Sequence, residues 1–354
     1  VTRIAHLTEA GLLARILPHL DQGAAVEVGP GDDAAVVRLD SPRLVVTTDT
    51  LTEGQDFLRD ATRPEWIGAR AAVQNLADVA AMGVRPQGVV IAVSVPATSP
   101  VELVEGIARG MAERCRRYGV SVVGGDLGAA DVLSLTVTAF GALAEGADPV
   151  LRSTARAGDV LAVGAPRLGR SAAGLAWVLA GRADDARAHD LVAWHDAPDP
   201  DLTLGWTVAP GRATAMLDLS DGLVRDGGRI AAASGVVVDL DAAALAPDVD
   251  SLTPVARTLA RTLAEASDGT SAGAPGGGPD GTSGAGETGD PATTAQQWVL
   301  HGGEEHAMLA TFAPDDVPAG FHTVGHVRAC RPGQEPAILL DGATVPGHGF
   351  DHFA

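Results

Sequence analysis

Short apolar runs of strand length alternate along this chain with longer apolar stretches of helix length. That alternation restricts the fold more than any other feature. "LVVTT" (44–48) reads as a strand that Asp49 ends. Pro64 opens a helix, "PEWIGARAAVQNLADVAAMG", with Gly83 as its stop, because proline suits the first helical turn and glycine the position just past the last. "GVVIAVSV" (88–95) is a strand ended by Pro96, and residues 101–118 form a helix closed by Gly119. "VSVVGGD" is a short strand running into a glycine turn, and "DVLSLTVTAFGAL" is another strand. Interleaved strands and helices predict an α/β or α+β architecture.

Around Pro149 the pattern restarts. "GDVLAVGAP" is a strand and turn, and "SAAGLAWVLAG" is a helix. "TAMLDLSDGLVRDGGRIAAASG" is a strand, an acidic junction and a helix ended near Gly235, and "VVVDLD" is a strand. Two domains are expected, 1–148 and 149–354, since single cores tend to split above about 250–300 residues and this chain has 354. Aromatics are only 3% of a chain that is 46% hydrophobic, so Val, Leu, Ile and Ala must build the cores. Residues 267–293, rich in Gly, Ser and Pro, have almost nothing to bury. They predict a disordered loop inserted in the second domain.

The formal net charge of −20 argues against a nucleic-acid partner, which wants a basic face, but not against a nucleotide held by metal ions and backbone N–H groups. Cys115 and Cys330 are the only cysteines, so no disulfide framework or zinc pattern is present. No apolar run reaches the roughly 20 residues that span a membrane. The opening "VTRIAHLTEAGLLARILPHL" reads as an amphipathic helix capped by Thr8 rather than a leader. A soluble cytoplasmic protein is expected.

Acids sit at the edges of these apolar segments. Asp32 and Asp33 lie on a Gly-Pro-Gly turn, and Asp49 at a strand end. Asp78 lies in an apolar helix one turn after Asn75, and Asp126 closes "VVGGD". Asp218 and Asp221 flank Ser220. Taken singly, Asp32-Asp33 is an ordinary turn and Asp78 as easily a backbone partner as a ligand. Taken together, gathered carboxylates raise one another's pKa, and few of the 25 Lys and Arg residues lie near them in sequence. A hard divalent cation such as Mg²⁺, which usually bridges to phosphates, is the simplest compensator and implies a nucleotide. No Walker motif, kinase signature set or GxGxxG helix opening occurs. Gly169 and Ser171 open a helix that could hold phosphate, although an ordinary capped helix accounts for them equally well. The histidines of "HGGEEH" do not form a metalloprotease pattern.

The segments "GPGDDAAVV", "TTDTLTEGQDF", "AVQNLADVAAMGVRP", "VVGGD", "LRSTARAGDVLAVGAPRLGRSAAGL", "LDLSDGL" and "HGGEEHAML" run in order from residue 26 to 309. As a set they resemble the thiamine-monophosphate kinases, within the superfamily of aminoimidazole ribonucleotide synthetase and selenophosphate synthetase. The resemblance implies two α/β domains, with the N-terminal sheet pairing across a homodimer and ATP and Mg²⁺ in the cleft. It implies transfer of the ATP γ-phosphoryl to thiamine monophosphate. By position it assigns Asp32, Asp33, Thr48, Asp49, Asp78, Asp126, Asp218 and Asp221 to metal, with Ser220 beside them on phosphate. Gly124 and Gly125 would let phosphate approach the backbone, and Arg152 would touch it. Asp126, Arg152 and Asp221 would be closest to the transfer itself.

The departures gather on the acceptor side. The family's "EGxHF" reads "EGQDF" here, with Asp56 at the histidine, and "SGGEDYEL" reads "HGGEEHAM", with Glu305 for aspartate and His306 for tyrosine. The sequence therefore leaves two alternatives beside the kinase. One is an ATP-dependent enzyme of this fold acting on another phosphorylated or carboxylated small molecule. The other is a non-catalytic nucleotide-binding dimer.

Overall fold

The computed structural model describes residues 2–30, 34–268 and 290–345. The motif acids Asp32 and Asp33 lie outside them, as does residues 269–289 of the expected loop. In the N-terminal part, β1 (Val26–Val28) and β2 (Val36–Val37) form a small ribbon that follows helix α1 (Glu9–Ile16). Then come β3 (Leu44–Thr52), α2 (Pro64–Ala81), β4 (Pro86–Val95), α3 (Val101–Tyr118), β5 (Ser121–Ala129) and β6 (Ser134–Ala142). The four long strands make one sheet in the order β3-β6-β4-β5, antiparallel except for β4 and β5, which α3 connects in parallel. Gly83 and Gly119 take the left-handed conformation just beyond α2 and α3, the backbone position that stops a helix without a Cβ clash.

Helices α2 and α3 cover one face of this sheet, and their backbones touch. A Cβ on Gly68 would stand 2.0 Å from the Ile107 carbonyl oxygen, and one on Gly110 1.8 Å from that of Glu65. Burial alternates along the strands as a one-sided sheet requires. Residues 135, 137 and 139 of β6 are buried, while Leu44 and Val46 of β3 point away from the helices and are exposed.

The C-terminal part holds β7 (Val160–Val163), α4 (Arg170–Leu179), α5 (His189–Asp196), β8 (Ala215–Asp218), α6 (Leu223–Ser234) and β9 (Val236–Leu240). It continues with α7 (Ala242–Asp268), α8 (Pro291–His301), β10 (Met308–Phe312), β11 (His322–Ala329), β12 (Ala337–Leu340) and β13 (Ala343–Thr344). These strands form a seven-stranded sheet, β13-β12-β9-β11-β7-β10-β8, in which only β12 and β9 run parallel. Helix α7 runs through Pro247 and Pro254, residues that weigh against a helix on sequence alone. Its last residues, and the first of α8 behind the Asp290 cap, are helical where a loop over 267–293 was expected.

Every residue of β7, β8 and β10 is buried, because both faces of the sheet are covered at these strands. Alternate residues enter different cores. Leu161, Val163, Leu217 and Leu309 join a core with α6, α7 and α8. Val160, Ala162, Met216, Met308 and Ala310 join the core that includes α2 and the four-stranded sheet. Strand parity therefore aims Asp218, two residues after Met216, at α2. Among the described residues no helix is long and apolar enough to cross a membrane.

Candidate active site

The acids divide between the two faces of the four-stranded sheet. On β3, Thr47, Asp49 and Leu51 lie on the helix side, in register with buried Ala139, Val137 and Leu135. The strand runs through Asp49 rather than ending there, since a carboxylate can sit within a strand where its face opens on a polar site. Helix α2 meets it. Buried Asn75 accepts the Asp49 N–H at 3.0 Å and donates to the Ala71 carbonyl at 3.0 Å, and Thr47 Oγ1 donates to Asp78 Oδ2 at 2.8 Å. Thr47 is a site residue that the family motifs, which point to Thr48, did not reveal. The alternation of β3 alone would have found it.

From the other sheet comes Asp218, at the end of β8. Burial, then the nearby Asp218 charge, pushes the Asp78 carboxyl up to about 7. Burial also raises Asp49, where Asp218 adds to the effect. Asp49, Asp78 and Asp218 thus approach one another from two sheets and one helix.

Their charge meets protein cations that sequence distance concealed. His306 Nδ1 lies 3.1 Å from Asp218 Oδ2, and its Nε2 3.1 Å from Glu304 Oε2. Arg70 of α2 reaches Glu304 Oε2 at 2.9 Å through Nη2 and donates to it from Nε at 3.2 Å. Against the cost of burial, the two carboxylates hold the His306 imidazole up to about 10. Against the same cost, Arg70 and His306 keep Glu304 well below the ordinary carboxylate range. His306 is therefore buried between two carboxylates, with a ring nitrogen engaged by each. The chain itself thus sets Arg70 and His306 beside this acidic group.

The loop carrying these residues is tightly specified. Glu304 and His306 donate backbone N–H groups to the Ser220 and Leu219 carbonyls, each at 2.8 Å. A Cβ on Gly303 would lie 2.4 Å from the Ser220 oxygen. Glu304 and His306 both take positive φ, 63° and 50°, a conformation that costs energy for residues with a side chain.

Asp221, at the mouth of α6, pairs with Arg229 at 2.5 Å and Arg225 at 3.7 Å. Behind it Asp226, fully buried, accepts the Asp221 N–H at 2.9 Å and an Arg229 hydrogen bond at 2.7 Å. Burial, then Asp218, pushes Asp226 up to about 7. Asp226 went unnoticed in sequence because it looks like any charged helix residue.

Glu305 turns away from Glu304. Buried, it accepts the Ser171 N–H at 2.9 Å, in the first turn of α4, and the Trp194 indole N–H at 2.7 Å. The Arg170 guanidinium lies 3.8 Å over the Trp194 ring. Asp56 accepts the Thr52 N–H at 2.6 Å and so closes the turn after β3. The sequence reading put Glu305 and Asp56 against the acceptor; these contacts give each a local backbone partner.

Thr48 and Asp126 occupy the opposite, outer face of the sheet. Thr48 Oγ1 donates to the Val137 carbonyl and accepts from Thr138, each at 3.0 Å. Asp126 is in register with Ala92, and Ala92 with Thr136, on the same exposed face. Gly124 lines that face beside Val90, while a Cβ on Gly125 would lie 2.1 Å from the Ile91 carbonyl oxygen. Arg152 is exposed in the segment before β7, and its carbonyl accepts the Ser234 hydroxyl. Within one chain these four residues and Thr48 do not join the inner cluster.

Comparison with known proteins adds to this geometry. Residues 31–143 match the AIR synthase related protein, N-terminal domain. A thiamine-monophosphate kinase of Mycobacterium tuberculosis is 39% identical over 352 residues, 99% of this chain and 93% of that protein. The crystal structure of thiamine-monophosphate kinase from Stenotrophomonas maltophilia superposes with a TM-score of 0.72 at 28% identity, covering 96% of this chain and 98% of that one. A structure described as AaThiL complexed with AMPPCP and TMP superposes with a TM-score of 0.70 at 26% identity, covering 100% and 99%.

Proposed function

This chain belongs to the thiamine-monophosphate kinase family, and we propose from that premise how its residues divide the work. It is an ATP-dependent kinase that transfers a phosphoryl group to thiamine monophosphate, giving thiamine diphosphate and ADP. Both reactants are anions and the accepting phosphate is already ionised. The protein's task is in-line positioning and charge neutralisation rather than supply of a strong base.

The meeting of Asp49 and Asp78 with Asp218 is the observation that carries our assignment of roles. All three are hard oxygen donors, and burial together with the Asp218 charge disfavours the ionised forms of Asp49 and Asp78, so the donor set fits Mg²⁺. Among the described residues no three His, Cys, Asp or Glu side chains already form a ligand group. A cation of this kind completes its shell with water and substrate phosphates. Asp49, Asp78 and Asp218 would hold it, with Asp32, Asp33 and Asp221 contributing. Bound there, Mg²⁺ supplies charge neutralisation on the phosphates. Ser220 and Asp221 would orient phosphate at the opening of α6. Glu305 acts on the acceptor side indirectly, by fixing Trp194 and the start of α4, with Asp56 and His306 shaping the same side.

For the outer face we propose a second copy of the chain. Exposed Leu44, Val46 and Val90 share it with Thr48, Thr138 and Asp126. Pairing of these faces in a homodimer would cover the apolar residues and bring Thr48, Gly124, Gly125 and Asp126, with Arg152, to the nucleotide. We retain the division at 148/149 as the domain boundary and place the reaction in the cytoplasm.

The test is direct measurement of ADP and thiamine diphosphate from ATP, Mg²⁺ and thiamine monophosphate, with the products separated. Turnover of about one per second or faster, the ordinary range for kinases, is expected. Tight Mg-ATP binding without thiamine diphosphate would redirect the reading to another phosphorylated or carboxylated acceptor.

A further inference from the structure

Resting on the kinase assignment above, we propose that Arg70 and His306 are positioning residues for the transfer. Through Glu304 they form an ion chain that holds Asp218 in place against Asp49 and Asp78. The chain runs without a gap from one sheet's helix to the other sheet's strand end. Arg70 of α2 bonds Glu304, Glu304 bonds His306, and His306 bonds Asp218, each link being 2.9–3.1 Å.

Four observations support this. First, both side chains are buried, Arg70 at 3% and His306 at 1% exposure. Sequestering charges is costly and adds little net stability compared with apolar packing, so a chain of them calls for a use beyond cohesion. Second, the loop accepts positive φ at both Glu304 and His306 to present these side chains. Such strain gathers where geometry serves function. Third, Arg70, Gln74 and Asp78 follow at i, i+4 and i+8 along one stripe of α2. Anchoring Glu304 to Arg70 therefore sets the height of Asp218 along the stripe that carries Asp78. Fourth, both ring nitrogens of His306 are engaged with carboxylates, so it has none left for a substrate. It engages Asp218 through Oδ2, and among the described residues no hydrogen bond reaches Oδ1, the oxygen left for a ligand.

The experiment compares His306→Gln, Arg70→Met, Arg70→Lys and the double variant Arg70→Met/His306→Gln with the wild type. Measured quantities are kcat, KM for each substrate, the Mg²⁺ concentration at half-maximal rate, melting temperature, and calorimetric binding of a non-hydrolysable ATP analogue with Mg²⁺. We expect His306→Gln and Arg70→Met each to raise the half-saturating Mg²⁺ about 10-fold and lower kcat about 30-fold, with KM for thiamine monophosphate moving less than about 2-fold. Arg70→Lys, which keeps the charge, should recover to within about 3-fold of wild type, and the double variant should fall no more than about 3-fold below the worse single one, because both act through Glu304. Unchanged Mg²⁺ half-saturation with only a lower melting temperature would overturn the proposal and leave a structural role. So would full additivity of the two substitutions, or a change confined to the acceptor's KM. If Arg70→Met does not fold, Arg70→Lys and His306→Gln carry the test. Analogue binding needs no turnover. A wild type that binds it but makes no thiamine diphosphate would strike the kinase assignment and leave the ion chain still testable.

Discussion

The two sheets treat their faces differently. In the seven-stranded sheet, β7, β8 and β10 are buried throughout, with alternate residues committed to two cores. In the four-stranded sheet, α2 and α3 cover one face, and the other displays Leu44, Val46, Val90 and a field of hydroxyls. Among those buried strands it is at the end of β8 that Asp218 leaves the core. The half-covered sheet offers chemistry on both sides, Thr47 and Asp49 within and Thr48 and Asp126 without. A single strand thus presents side chains to two faces, and adjacent residues of one motif lie on different ones.

The largest effect should come from the inner side. Asp78→Ala and Asp221→Asn should each lower phosphoryl transfer at least about 10²-fold, by loss of charge around the phosphates. Product quantification on folded, nucleotide-binding variants checks this, and near-normal turnover would remove that residue from the site. The outer face is broken differently. Val46, 58% exposed in one chain, is harmless to replace with lysine if it faces water. If it meets its counterpart in a second copy, Val46→Lys should shift sedimentation from dimer to monomer and reduce turnover with it. A wild type that sediments as a monomer would show that the exposed face serves something else.

Gly124 and Gly125 sharpen the same contrast at smaller scale. A Cβ on Gly125 would stand 2.1 Å from a β4 carbonyl, whereas one on Gly124 meets nothing nearer than Val90 Cγ1 at 3.8 Å. Gly125→Ala should destabilise by about 1–3 kcal/mol through overpacking, and Gly124→Ala by no more than about 0.5 kcal/mol. Denaturant titration distinguishes them. A raised KM for ATP in the stable Gly124→Ala variant would place phosphate at that backbone.

Most of the architecture was legible because apolar runs and their Gly and Pro stops are local signals. The α2 limits and the left-handed glycines after α2, α3 and α6 follow from them. Helix α7 was not legible, since its two prolines speak against it locally and packing overrides them. In the site, Asp49, Asn75, Asp78 and Asp218 could be grouped from their positions at the edges of apolar segments. The division of Thr48 and Asp126 from Thr47 and Asp49 follows from strand parity, which family motifs ignore. His306 was named, but its carboxylate partners were not, and Arg70 could not be found at all. Arg70 and Glu304 are 234 residues apart, and nothing local marks them as partners.

The smallest predicted effect concerns stability against pH in the metal-free protein. Burial, then Asp218, holds Asp78 up to about 7, above the roughly 3.9 of an unfolded aspartate. Between those values the native state binds the extra proton, so this group's contribution makes stability fall as pH rises from about 4 to about 7. Asp226, also pushed up to about 7, acts in the same direction. His306 has the opposite charge but the same slope. Its pKa, raised to about 10, gives stability fully present below about 6.5 and lost as pH climbs through 10. Buried His195, its pKa lowered to about 3, opposes this slope up to about pH 6.5, so the metal-free protein should melt at steadily lower temperature from about pH 7 to pH 10. Asp78→Asn removes one part of that slope: its melting temperature should match the wild type near pH 4 and exceed it at pH 8. Mg²⁺ with ATP should close the gap by stabilising the wild type more than the variant, since only the wild type keeps the charge that a cation rewards. A difference between the two proteins that does not vary with pH would mean that Asp78 is ionised at no cost. The inner face would then be as open to water as the outer one.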